Sequence, residues 1–69
     1  MAESVYKVIE LVGTSSESWE KAALAAVKRA SKTLRDLRIA EVIELDMALE
    51  KGKAPLFRTK IRVSFKYES

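Results

Sequence analysis

Apolar and polar residues alternate along this chain with two different periods, and the changes of period mark out its elements. Val5-Tyr6-Lys7-Val8-Ile9-Glu10-Leu11-Val12 is rich in β-branched and aromatic residues, which suit a pleated, half-buried strand. The run breaks at Gly13-Thr14-Ser15-Ser16, where glycine supplies the dihedral freedom to leave a strand. From Ser16 to about Arg35, Trp19, Ala22, Ala23, Ala26, Val27, Ala30 and Leu34 recur at helical spacing, predicting one buried stripe. Thr14 as N-cap places Glu17 at the third helical position of a capping box, with Ser15 as the competing cap. Glu17 and Glu20 near the start and Lys28, Arg29, Lys32 and Arg35 near the end complement the helix dipole.

After Asp36 the period becomes two. Leu37, Ile39, Ile43, Leu45, Met47 and Leu49 share one parity, interrupted by Glu41, and Phe57, Thr59, Ile61, Val63, Phe65 and Tyr67 share another further on. Lys51-Gly52-Lys53-Ala54-Pro55 between them is a turn signal, so the two runs predict a long antiparallel hairpin. The polar face of the first run carries Arg38, Glu44, Asp46 and Glu50, and that of the second carries Arg58, Lys60, Arg62, Ser64 and Lys66. With Glu50 near Leu56, Glu44 falls opposite Arg62 and Asp46 opposite Lys60, and such pairs help to hold a register. The predicted order is β-α-β-β, an α+β fold in which three strands carry one helix on one face.

At 69 residues the chain forms one domain, residues 1–69, too small to bury a large core. Without Cys or His it has neither disulfides nor the usual zinc ligands, which leaves oligomerisation as the expected support. The two long runs also present more apolar surface than one helix covers, so the excess is expected to meet another copy. No apolar stretch approaches the roughly 20 residues of a membrane span, and Met1-Ala2-Glu3-Ser4 does not read as a signal peptide. A soluble, cytoplasmic protein with no membrane partner is expected. Thirteen Lys and Arg against ten Asp and Glu give +3, below a typical nucleic-acid footprint.

Catalytic signatures are missing. With Gly13 and Gly52 as the only glycines there is no phosphate-cradling loop, and alternation sets Glu41 on the opposite face from Glu44 and Asp46. The chain is read as no enzyme. A hard cation such as calcium takes oxygen ligands, so Glu17, Glu20, Glu41, Glu44, Asp46 and Glu50 are candidates, against the plainer reading of solvated ion-pair partners. Glu41, on an otherwise apolar parity, is expected to be buried, paired or at a subunit contact. Arg58, Lys60, Arg62 and Lys66 suggest a basic nucleic-acid face, yet the aromatics point to the other side, and neutralisation by neighbouring acids is the better account.

The words Val12-Gly13-Thr14-Ser15, Glu17-Ser18-Trp19-Glu20-Lys21-Ala22-Ala23, Arg29-Ala30, Lys32-Thr33-Leu34, Ala40-Glu41-Val42 and Val63-Ser64-Phe65, in this order and spacing, resemble the dodecins. The resemblance covers nearly the whole chain. It implies a steeply curved three-stranded antiparallel sheet wrapped around the helix, assembled into a hollow homododecamer. It also implies binding and storage of flavins such as FMN, riboflavin or FAD, without catalysis. The family's flavin-stacking Trp matches Ile39, beside Arg38, and its ring-edge Gln matches Arg58. Glu44 matches an acidic position of some flavin binders, and Lys66 a basic residue that meets ligand phosphate. Loss of the stacking ring predicts weakened or absent flavin binding, as in the branch that resembles calcium-associated or ligand-free assemblies. Trp19 lies in the helix and is read as a packing or subunit-contact anchor.

Overall fold

The structure, a computed structural model, describes residues 3–67; the ends of the expected 1–69 domain and the first two residues of Met1–Ser4 lie outside the described residues. Four elements follow in the expected order: β1 (Tyr6–Ser15), α1 (Trp19–Thr33), β2 (Leu37–Ala48) and β3 (Leu56–Lys66). The three strands form one antiparallel sheet of order β1-β3-β2, so β3 is central and both other strands pair with it. β1 and β2 consequently run in the same direction on either side of β3, and α1 carries the chain across one face between them. Packing of α1 is mainly on β1 and β3, with little on β2.

The break after β1 falls later than the sequence indicates. Gly13, Thr14 and Ser15 remain in the strand, paired with Thr59, Arg58 and Phe57, because β3 extends far enough to bond them. Neither Thr14 nor Ser15 is the N-cap. Ser18 is extended, with φ −166° and ψ 163°, and its hydroxyl accepts the Lys21 amide hydrogen at 3.0 Å. Ser15 Oγ instead accepts the Glu17 N–H at 3.0 Å in the turn, and Glu17 precedes the helix and ion-pairs with Lys21. At the other end, the Leu34 amide donates to the Ala30 carbonyl at 2.9 Å, so Arg35 lies beyond the helix. Asp36 then turns the chain with φ 57°, a left-handed conformation that Asp tolerates better than most residues.

Gly13 is required for a different reason from the one its position suggests. Its backbone is an ordinary extended strand with no positive φ, but a Cβ there would overlap the Ala22 carbonyl oxygen and lie 3.1 Å from Ala26 Cβ. Ala22, Ala26 and Ala30, spaced by four, are all buried, so the helix lies on the sheet at backbone distance. Opposite them, Thr59, Ile61 and Val63 of β3 are each about 1% exposed. Ile9, Leu11, Ala23, Val27 and Leu37 pack around this small core.

The hairpin is as long as expected but its register differs by two residues. Ala48 faces Leu56, Asp46 faces Arg58, and Glu44 faces Lys60, where Lys60 and Arg62 were the expected partners of Asp46 and Glu44. The turn closes with Lys53 N–H to the Glu50 carbonyl at 3.0 Å, and Gly52 sits at φ +80°, where a side chain would be strained. The pairing slips between Leu37 and Ile39 and again between Val42 and Glu44. These slips break the single apolar parity of β2. Ala40, Val42, Leu45 and Met47 lie opposite the helix-facing residues of β3, whereas Ile39, Glu41, Glu44 and Asp46 share the other face.

The described chain measures 55 × 20 × 16 Å with a radius of gyration of 14.3 Å, against about 11 Å for a compact chain of this length. Val42, Leu45 and Met47 of β2, and Leu49 and Leu56 near the turn, are exposed. Among the described residues no helix is long and apolar enough to cross a membrane.

Gly13→Ala, normally a mild change, should here cost about 3 kcal/mol, the upper end of the usual overpacking range, because a backbone carbonyl rather than a flexible side chain must move. That corresponds to a fall of at least about 12 °C in thermal midpoint for a domain this small. Circular dichroism melting checks it, and an unchanged midpoint would show that the helix does not pack this closely.

Candidate functional site

On the face away from α1, β3 presents Arg58, Lys60 and Arg62 between acids of both neighbouring strands. Arg58 grips Asp46 with two bonds, Nε to Oδ1 at 2.7 Å and Nη2 to Oδ2 at 3.0 Å. Lys60 Nζ lies 3.7 Å from Glu44, while Arg62 reaches Glu10 of β1 at 2.8 Å and Glu41 of β2 at 3.8 Å. The Arg58 hydrogen bond holds the Asp46 carboxyl below its ordinary pKa, and that of Arg62 does the same for Glu10. The same two bonds raise the pKa values of Arg58 and Arg62. Three of the four cations considered for a nucleic-acid face are thus already paired with carboxylates.

Glu41 departs from its expected position. The slip between Val42 and Glu44 turns it onto the same face as Glu44 and Asp46, where it is exposed and pairs with Arg62. Even so, among the described residues no three metal-ligating side chains gather in one place within the chain. Each of the three β2 acids leans on its own β3 cation, and that spreads them along the strand.

The residues matched to a ligand site divide between two regions. Arg38 and Ile39 lie near the start of β2 beside Val27, Leu37, Ala40 and Val63, and Ile39 is 65% exposed opposite Ser64. Lys66 follows on β3, opposite Tyr6, and lines a cleft with Lys7, Arg35, Asp36, Phe65 and Tyr67. Arg58 lies six residues before Ser64 on β3, roughly 20 Å away by strand rise, with Glu44 near it. Arg38, Ile39 and Lys66 therefore share one end of the sheet, and Glu44 and Arg58 belong to the other half. Within one chain the five are not gathered at one place.

A second cluster forms where α1 meets the hairpin. Trp19 is the first residue of the helix, and its indole N–H donates to the Asp46 carbonyl at 3.0 Å. Its ring meets Phe57 edge-on, with centroids 4.9 Å apart and planes at 71°. The Thr59 hydroxyl donates to the Trp19 carbonyl at 2.8 Å, satisfying a polar group inside the core. Beside this knot, Trp19, Glu20, Ala23, Val42, Leu45 and Thr59 line an open apolar cleft of about 410 Å³. Val42 was not singled out by its sequence position, because a regular alternation puts it on the polar side. Trp19 is the anchor its apolar bulk suggested.

The dodecin family model matches residues 5–68 of the chain. The chain is 52% identical over 63 residues to the calcium dodecin of Mycobacterium tuberculosis, covering 91% of this chain and 89% of that protein. It is 42% identical over 64 residues to the dodecin of Thermus thermophilus, covering 93% of each. Among solved structures, the M. tuberculosis calcium dodecin, described as calcium chelating with a novel calcium-binding site, superposes with a TM-score of 0.87 at 51% identity, covering 94% of this chain and 93% of that one. Dodecin from Streptomyces coelicolor gives 0.89 at 35% identity, covering 100% and 99%.

The ion pairs set a direction for acid sensitivity. Because Asp46 and Glu10 have folded pKa values below their unfolded ones, their contribution is complete above the unfolded carboxylate pKa of about 4 and is lost as pH falls through the folded values. The thermal midpoint should hold between pH 7 and 5 and fall in more acidic buffer. Asp46→Asn combined with Glu10→Gln should flatten that acid limb; an equally steep limb in the double variant would assign the acid sensitivity to other groups.

Proposed function

The chain belongs to the dodecin family, and from that membership we propose that it is a cytoplasmic, non-catalytic small-ligand-binding assembly, a hollow homododecamer. The uncovered apolar side of β2 carries the assembly reading: Val42, Leu45 and Met47 face the helix side of the sheet, yet α1 scarcely reaches them. Burial of such residues stabilises by about 25 cal/mol per Å² of apolar surface removed from water, and a second copy is the available source of cover. The elongated form of the single chain agrees.

For the ligand, position 39 is decisive. An exposed Ile stands where the family resemblance puts the flavin-stacking Trp, and losing a stacked ring costs about 1–3 kcal/mol, roughly tenfold to a hundredfold in affinity. Arg58, matched to the ring-edge amide, is engaged by Asp46 and offers a charged group already paired in place of a neutral donor and acceptor. Both differences oppose flavin binding, and they are independent of one another. Similarity to a calcium dodecin favours a second reading, in which the shell binds calcium. Within one chain the β2 acids are spread and paired, so such a site would collect carboxylates from several subunits.

Light scattering tests the assembly: a monomer would overturn it. Titration of riboflavin or FMN with micromolar protein should leave flavin fluorescence unquenched, whereas Ile39→Trp together with Arg58→Gln should restore quenching by at least about tenfold in affinity. Quenching by the parent at that concentration would reject the weakened site. Calcium should raise the thermal midpoint of the assembly and chelator lower it; indifference to both would remove the calcium reading.

A further inference from the structure

The β2–β3 hairpin continues past the helix and ends in a tip whose composition differs from the rest of the molecule. α1 starts at Trp19, beside Asp46, so no element among the described residues covers the hairpin beyond that point. There Met47 lies on the helix side of the sheet and Leu56 on the other, and Leu49, just beyond the ladder, is 76% exposed. The tip is tied together at its base: the ladder is paired to Ala48 and Leu56, the Lys53 amide closes the turn onto Glu50, and Lys53 and Glu50 form an ion pair at 2.9 Å. Lys51, between them, meets no carboxylate among the described residues, and the turn carries a net positive charge.

The same chain holds a surface of matching chemistry. The cleft between α1 and β2 is walled by Trp19, Ala23, Val42 and Leu45, and the one charged residue on its rim is Glu20. The tip cannot occupy its own cleft. Leu49 lies about 13 Å along the strand from Leu45, and the paired ladder prevents it from folding back. We infer that the hairpin tip docks head-to-tail into the cleft between α1 and β2 of a second copy, inserting Leu49 against Trp19 and bringing Lys51 to Glu20. Such a contact joins two different patches, so it must close into a ring within a finite assembly. The inference rests on the assembly reading above and identifies which surfaces make one of its contacts.

The chain has no cysteine, which makes a covalent test direct. Leu49→Cys and Ala23→Cys variants, co-expressed and oxidised, should form a disulfide-linked mixed dimer on a non-reducing gel. Neither variant expressed alone should do so. Trp19 is the only Trp, so its emission should move to longer wavelength in Leu49→Asp as the cleft loses its occupant. Lys51→Glu should lower the assembled fraction on dilution, and adding Glu20→Lys to the same chain should restore it. Full-sized particles with no mixed disulfide and unshifted Trp19 emission would overturn this contact while leaving the assembly standing. A monomeric parent protein would overturn both.

Discussion

The closeness of α1 to β1, set where Gly13 passes beneath Ala22, governs the rest of the structure. No side chain stands between the two backbones there, and Ala26 and Ala30 continue the same flat contact along the helix. A helix seated this low needs no large residues on its stripe, which explains how a core of alanines, Ile61, Val63 and Thr59 suffices within the chain. It also fixes the lateral position of α1 over β1 and β3. β2 is left at the edge of the sheet that α1 scarcely reaches, with apolar residues on the helix side exposed, so the economy of the inner core and the unfinished state of the outer surface have one cause.

The opposite face of the sheet obeys a different requirement. β3 is central and basic, and every acid that flanks it comes from an edge strand, Glu10 on one side and Glu41, Glu44 and Asp46 on the other. Exposed pairs of this kind contribute little stability individually, about 0–1 kcal/mol. Together they penalise misregistration, since a shift of one residue would turn them toward the helix and the apolar residues toward solvent. Arg62, shared between Glu10 and Glu41, links all three strands in one row.

Much of this was legible in the sequence. Element order, the helical stripe, the long hairpin and the apolar face of β3 follow from periodicity, because each depends on local spacing alone. The position of the cap has a tertiary origin: Gly13 to Ser15 look like a turn by composition, but pairing with β3 keeps them in the strand, and the helix is capped only at Ser18. The hairpin register sits two residues from a simple Glu50–Leu56 pairing because Glu50 lies in the turn and has no cross-strand partner. For the residues expected at a ligand site, the family resemblance suggests positions but not their grouping, since the separation of Arg58 from Ile39 along β3 follows from register. Trp19 was recognisable as an anchor by its bulk, while its bond to the Asp46 carbonyl joins residues 27 apart and leaves no local trace.

The irregularity near Ile43 reconciles these two faces. A strictly alternating strand through residues 40–47 would put Ala40, Val42, Glu44 and Asp46 on one side and Glu41, Leu45 and Met47 on the other, mixing acids with apolar residues on both. The slip between Val42 and Glu44 sorts them, so that Ala40, Val42, Leu45 and Met47 form one apolar surface and Glu41, Glu44 and Asp46 one acidic surface. The sorting happens just before Asp46, where Trp19 bonds the strand backbone and Arg58 bonds its side chain. Clamped from both faces at that residue, β2 keeps its register beyond the slip. The apolar surface it offers for contact is therefore held in place by the charged surface behind it.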